Sequence, residues 1–327
     1  MDLDLVFLGT AASAPTAARG TSSMLLRRGG DRLLVDCGEG TQRQLLRSDT
    51  GLVDLEDVFL THLHADHVLG LPGMLKTFAL RGREIPIRVH GPRGTRALLG
   101  ALGVVIGRLT YPLEVVELGA GEPVARDGYV IEPFPVAHGV GALGYALREE
   151  ERPGRFDVEA ADALGVPNGP ARGALQRGEP VTLEDGSVVR PDQVVGPGRR
   201  GRNLVLTGDT APSASVTEAA AGADVLVHEA TFLADERARA RETEHSTAAE
   251  AALVAREAGV SLLALTHVSA RYPASEIVDE ARQVFPQTVV PRDFDLIAVP
   301  FPERGSPGLV PRGGRRGRPP EDVGSEA

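Results

Sequence analysis

The sequence predicts an α/β fold, layered with its helices outside its sheets. Three observations predict it. Short Val- and Leu-rich runs recur along the 327 residues, as in strands of a covered sheet. Helix-like stretches alternate with them. The composition, 42% hydrophobic and 24% charged, supplies a core and rules out wholesale disorder.

The strand-like runs are Leu3–Leu8, Arg32–Val35, Val58–Thr61, Ile87–His90, Val130–Ala137, Leu204–Thr207, Val225–Val227 and Leu262–Thr266. Among the helices, Thr41–Arg47 follows a glycine-bearing turn, Gly73–Leu80 follows Pro72, and Arg93–Leu102 is a third. The strongest is Ser246–Ala258, where Thr247 and Glu250 are spaced as a capping box and Gly259 fits the stop. Residues 148–202 break this rhythm. They are rich in Gly, Pro, Arg and Glu and read as a flexible arm inserted into a domain spanning residues 1–302. Residues 303–327, rich in Gly, Pro and Arg, are expected to be a disordered tail.

Several function classes are excluded early. No apolar run reaches the 18 residues of a membrane span, and no basic segment with a long apolar run opens the chain as a secretory leader would. A lone Cys37 excludes disulfides and multi-thiolate metal sites. The net charge of −10 disfavours a generally basic nucleic-acid binder, so any such partner must be held by a local patch. Aromatics are 4% and Trp is absent, which argues against stacking many bases at once.

The chemistry concentrates in Thr61-His-Leu-His-Ala-Asp-His67. One histidine is ordinary; three imidazoles and a carboxylate within six residues, directly after a strand, are a metal site. The loop can turn His62 and His64 one way and Asp66 and His67 another, giving two ligand pairs for two adjacent cations. Nitrogen and oxygen donors suit Zn²⁺ best, with Mn²⁺ or Fe²⁺ compatible. Two pairs do not fill two coordination shells. His138, Asp209 and His267 each sit just past an apolar run, where sites of α/β sheets collect. With two oxygens, Asp209 is the candidate to bridge both ions.

The signature His62-x-His64-x-Asp66-His67 resembles that of the metallo-β-lactamase fold, a four-layer αβ/βα sandwich. More specifically, the chain resembles the tRNase Z (ribonuclease Z) family, endonucleases that trim tRNA 3′ trailers. The matching segments are Asp36-Cys-Gly-Glu-Gly-Thr-Gln-Arg-Gln-Leu45, Leu69-Gly-Leu-Pro-Gly73, Gly208-Asp-Thr210, Val227-His-Glu-Ala-Thr-Phe232, His245-Ser-Thr247 and Leu265-Thr-His267. The resemblance implies two Zn²⁺ per subunit: His62, His64 and His138 on one, Asp66, His67 and His267 on the other, Asp209 between. It implies Asp36 as a support of the histidine loop, with His228 and Glu229 in strand-end support rather than ligation. It implies His245 facing the scissile phosphate, and Asp66 and His245 as the catalytic pair. Precursor tRNA is the implied substrate, a homodimer the implied assembly, and the cytoplasm the implied location.

Within the arm, Leu164–Pro170 and Gly173–Gly178 resemble the family's Gly-Pro exosite for the tRNA elbow, with Gly169, Pro170 and Gly173 as its contacts. One departure stands out. The family's Pro-x-Lys-x-Arg-Asn loop is here Pro15-Thr-Ala-Ala-Arg-Gly20, so only Arg19 remains to touch substrate. The alternative function is a dinuclear-zinc phosphodiesterase for small esters, or a broader RNase, of the same fold.

Overall fold

A computed structural model describes residues 1–52, 55–139 and 141–313. In chain order, β1 (Leu3–Gly9), β2 (Ser23–Arg28) and β3 (Asp31–Val35) form an antiparallel meander, and α1 (Thr41–Arg47) leads to β4 (Asp57–Phe59). Short α2 (Ala65–Val68) and α3 (Gly70–Leu80) lead to β5 (Ile87–Gly91), and α4 (Thr95–Ile106) to β6 (Leu113–Glu117); β3 through β6 are parallel.

A second sheet starts with antiparallel β7 (Val124–Arg126), β8 (Tyr129–Pro135) and β9 (Leu143–Glu149). The chain then departs through α5 (Val158–Ala163), α6 (Pro170–Gln176) and a hairpin of β10 (Val181–Thr182) and β11 (Val188–Val189). It returns as β12 (Asn203–Leu206), α7 (Ala214–Ala219), β13 (Val225–Glu229), α8 (Arg237–Glu242), α9 (Ala248–Ala258), β14 (Leu262–Thr266), α10 (Ala274–Arg282) and β15 (Thr288–Val289), with β12 to β15 parallel. Finally β16 (Leu296–Ala298) crosses back to pair with β1, and β17 (Gly308–Val310) pairs with β16. The sheets run β17-β16-β1-β2-β3-β4-β5-β6 and β15-β14-β13-β12-β9-β8-β7.

Strand alternation makes the layers. In β1, Leu3, Leu5 and Phe7 join the core between the sheets, with Tyr129, Leu147, Leu204 and Val225 from the facing sheet. Val6 and Leu8 point outward into a second core with Leu71, Met74, Leu75 and Leu99 of α3 and α4. A third core joins Leu226 and Leu263 to Val216, Ala251 and Ile277 of α7, α9 and α10. Each sheet is thus covered on both faces, which is why its strands read as continuous apolar runs.

Several elements differ from the expectation. The α3 helix starts at Gly70, taking Pro72 inside its first turn, where a missing amide costs no helical bond. Residues 148–202 are not a structureless arm. Ala161, Val166, Leu175, Val189 and Val194 bury a core of their own, with Phe156 packed against it. These apolar residues are too far apart in sequence to show a period. Residues 303–313 are likewise structured: β17 closes the first sheet, and Glu303 pairs with Arg152 and Arg199 at the base of the lobe. Residues 314–327 of the expected tail lie outside the described residues.

Candidate metal centre

The donor side chains all stand where strands end. His62 follows β4 through Leu60 and Thr61; His64 precedes α2, which carries Asp66 and His67. His138 follows β8, Asp209 follows β12 and His267 follows β14. Gly208 makes the turn into Asp209 at φ 63°, and a Cβ there would lie 2.7 Å from Cβ of Thr61, so only glycine fits.

Four overlapping donor groups occur among the described residues, and two of them contain the seven expected ligands: His62, His64 and His138 in one set, Asp66, His67, Asp209 and His267 in the other, with the ligand atoms of each set within 4.8 Å of one another. The other two groups bring in His245, beside His138 and Asp209 and beside Glu229 and His267. Asp209 stands between the sets. Its Oδ2 is 3.4 Å from Nε2 of His67, 3.3 Å from Nε2 of His267 and 3.8 Å from Nε2 of His62. Nε2 of His62, Nε2 of His67 and Oδ1 of Asp209 are buried without a hydrogen-bond partner among the described residues. Such orphans cost about 1–3 kcal/mol each. Nε2 of His138 also faces Nδ1 of His64 at 3.2 Å, two ring nitrogens aimed at each other. Cations between these atoms satisfy all of them, so the residues fit a metal pair.

The far edges of the His62, His67, His138 and His267 rings are held in place, which fixes the inward nitrogen; Nδ1 of His62 meets the Thr61 hydroxyl at 3.0 Å. Nδ1 of His67 donates to Oδ2 of Asp36 at 2.8 Å, and Oδ1 of Asp36 accepts from the Thr61 amide, tying strand end to helix. Nδ1 of His138 donates to the Glu244 carbonyl at 2.9 Å. Nδ1 of His267 meets the Thr231 hydroxyl at 2.8 Å, and that hydroxyl donates to Glu229 Oε2 at 2.7 Å. Glu229 Oε1 holds Nδ1 of His245 at 2.6 Å. Oδ2 of Asp66 accepts from the Ser13 amide at 2.9 Å and lies 3.3 Å from Nε2 of His267.

The electrostatics match this reading. Burial, reinforced by neighbouring His67, pushes His62 down to about 2 and keeps its lone pair free. Burial opposes charge on His67 too, yet Asp209 and Asp36 raise its pKa well above the usual histidine value. The site therefore favours positive charge at that point, as a cation supplies. Burial works against ionised Asp209, but His267 and His67 hold it well below the ordinary carboxylate range. His245 is raised, because its hydrogen bond to Glu229 and that carboxylate's charge outweigh burial.

Among the described residues, five non-glycine residues have positive φ, and four of them touch this centre: Ser13, Asp36, Glu244 and His267. Such backbone costs about 1–3 kcal/mol per residue and persists only where its surroundings enforce it. Thr61, Thr231, Ser13 and Glu244 were missed by sequence reasoning. Glu244 acts through a carbonyl and by accepting the Gly139 amide at 2.6 Å, neither of which its side-chain type reveals.

Other expected residues are placed differently. His228 is buried on the outer face of β13, alternating with Glu229. Its Nδ1 donates to the Glu229 carbonyl, and among the described residues it makes no hydrogen bond or ring contact with a candidate ligand. Arg19 is tied inward, donating to Thr10 Oγ1 and the Pro291 carbonyl. In the lobe, Gly169 precedes α6 at φ 107°, Pro170 opens it and Gly173 lies within it.

The chain is 50% identical over 308 residues to the ribonuclease Z of Gemmatimonas aurantiaca, covering 93% of this chain and 98% of that protein. The chain belongs to the ribonuclease Z family. The Myxococcus xanthus ribonuclease Z is 48% identical, over 92% of this chain and 99% of that one. Among solved structures, the short form of human tRNase Z superposes with TM-score 0.66 at 26% identity, covering 91% of this chain and 99% of that one. The Bacillus subtilis metallo-β-lactamase-fold protein YhfI gives the same TM-score at 20% identity over 91% of this chain and all of that one, a likeness of fold. A family model described as anti-Pycsar protein Apyc1 matches residues 3–90. The ribonuclease Z fold is accordingly the metallo-β-lactamase sandwich, with the metal centre at the strand ends.

Proposed function

We propose that this ribonuclease Z is a zinc-dependent endoribonuclease that removes 3′ trailers from precursor tRNA, leaving a tRNA 3′-hydroxyl. The observation that carries the zinc reading is Asp209, set between two donor groups, with its own Oδ1, Nε2 of His62 and Nε2 of His67 buried and without a hydrogen-bond partner among the described residues. His62, His64 and His138 would hold one Zn²⁺ and Asp66, His67 and His267 the other, with Asp209 available to both. Zinc, when bound, supplies Lewis acidity to water and to the phosphate. The protein's own groups do the rest. Asp66, fixed by the Ser13 amide, accepts the proton of the attacking water. His245, whose pKa the Glu229 carboxylate raises against burial, donates a proton to the leaving oxygen. Asp36 and Glu229 keep the rings aimed.

The lobe at 148–202 takes the RNA away from the scissile bond, through Gly169, Pro170 and Gly173, with Arg19 at the loop near the metals. In this reading the lobe of one subunit serves the site of its partner in a homodimer, and the enzyme works in the cytoplasm. No helix among the described residues is long and apolar enough to cross a membrane. The test is incubation with a 3′-extended precursor tRNA, with and without chelator, with mapping of the product ends, beside a small chromogenic phosphodiester. Chelator-sensitive release of a 5′-phosphorylated trailer is expected. Turnover of the small ester alone would mean a small-molecule phosphodiesterase.

A further inference from the structure

The chain's net charge is −10, yet one surface gathers arginines that meet no carboxylate. Arg43 and Arg47 are exposed on α1, four residues apart and so on one face. Like charges at that spacing destabilise a helix unless something compensates. Beside them, Arg292 and Arg312 are exposed on the segments flanking β16 and β17. Phe294 joins the group: the Arg47 guanidinium lies 5.1 Å from its ring centroid and that of Arg312 4.3 Å. Among the described residues none of these four guanidiniums is in an ion pair. Two carboxylates lie beneath, but both face inward. Asp293 accepts from Thr10, Gly20 and Gln44. Asp295 accepts from the backbone amides of Arg292 and Arg312, at 2.9 Å each. They fix the backbone under the patch. Phe294 is the fifth residue with positive φ, at 73°, so the patch sits on enforced backbone, as the metal centre does.

The patch also adjoins the metal centre. Gln44 of α1 bonds Asp293 at 2.8 Å; Asp293 accepts from the Gly20 amide at 2.7 Å, at the end of the altered loop; and the amide of Ser13, two residues before that loop, holds Asp66. Arg19 spends donors on Thr10 and the Pro291 carbonyl and the loop has no lysine, whereas among the described residues the side chains of Arg43, Arg292 and Arg312 make no hydrogen bond and that of Arg47 donates only to Gln44.

We propose that Arg43, Arg47, Arg292 and Arg312, arranged around Phe294, are a docking surface for the phosphate backbone of the double-helical part of the RNA substrate. This rests on the tRNA reading above. Guanidiniums are the preferred forks for phosphate. The Phe294 ring is already covered by guanidinium, so it is not an open platform for unstacked bases, as single-strand binding demands. The patch offers charge without base-reading groups, which suits positioning a duplex.

The test compares the full-length enzyme with Arg43→Ala/Arg47→Ala and Arg292→Ala/Arg312→Ala, with lysine replacements at the same positions as the folding-competent control. Each alanine pair is expected to raise KM for precursor tRNA about tenfold with little change in kcat, and to reduce the slope of log KM against log salt by about 2, one per lost phosphate contact. The lysine pairs should keep most of the slope. Fluorescence anisotropy with an RNA hairpin reads the patch independently of cleavage, and a single-stranded RNA of equal length is the comparison. Unchanged hairpin affinity and slope in both alanine pairs would overturn the proposal. An equal loss on the single strand would overturn its assignment to duplex. Wild-type enzyme that binds the hairpin through these arginines but cleaves no precursor tRNA would refute the function reading and leave the patch standing.

Discussion

The metal centre and the lobe at 148–202 are built on opposite plans. The centre draws its candidate ligands from four separate strand-end segments, and residues from elsewhere in the fold hold their rings: Asp36 holds His67, Thr231 holds His267 and Glu244 holds His138. Its geometry is a property of the whole sandwich. The lobe owns a small core around Leu175 and Val166 and joins the body at a narrow base of buried charge, where Glu149 meets Arg28 and Arg202. The candidate chemistry is therefore pre-organised by the whole fold, whereas the lobe, proposed above to contact the RNA, is a unit with a core of its own.

The largest effect expected from breaking this arrangement is at the centre. Asp209→Ala removes the side chain proposed to join the two donor sets, whose Oδ2 lies 3.3–3.8 Å from Nε2 of His62, His67 and His267. It should lower kcat/KM on precursor tRNA by at least about 10³-fold, more than about 4 kcal/mol. Retained activity within about tenfold would mean that Asp209 is not the bridge. A smaller loss should follow Thr231→Val, which keeps shape but removes the hydroxyl between Glu229 and His267. Metal affinity, read by competition with a chromophoric chelator, should fall about 10–100-fold.

The lobe should respond differently. Leu175→Asp puts a charge into its core, which is fully buried. KM for precursor tRNA should rise about tenfold or more, while hydrolysis of a small phosphodiester falls far less. Equal loss on both substrates would show that the lobe also holds the body together. The smallest effect lies at the base. Burial opposes ionisation of Glu149, but Arg202 and Arg28 outweigh it and hold its pKa at about 2, against an ordinary value of 4.5. A depressed carboxylate contributes stability above pH 4.5 that is lost as pH falls toward 2. Urea midpoints between those limits should therefore decline with acid, and Glu149→Gln should flatten that decline while lowering stability at neutral pH.

Much of this was legible in the sequence for a physical reason. Thr41–Arg47 and Leu262–Thr266 appear with the expected bounds, because a glycine turn and an uninterrupted apolar run are local signals. The Thr247–Glu250 capping box and the left-handed Gly259 are also as read. The candidate ligand residues stand out in the sequence because imidazole and carboxylate clusters carry their chemistry in residue type, and the fold brings them together. What escaped notice acts at long range. Thr231 and His267 are 36 residues apart, and Glu244 contributes a carbonyl across 106. The lobe core hides in a Gly- and Pro-rich composition, and Arg19 looked free until its partners at Thr10 and Pro291 were in place.

The most direct test of the central claim, that the fold is built around a metal pair joined by Asp209, is elemental analysis of the purified protein with precursor-tRNA cleavage measured on the same sample. Close to two zinc equivalents per chain are expected, with activity lost on chelation and restored by metal. A preparation that cleaves at full rate with no bound metal would contradict it.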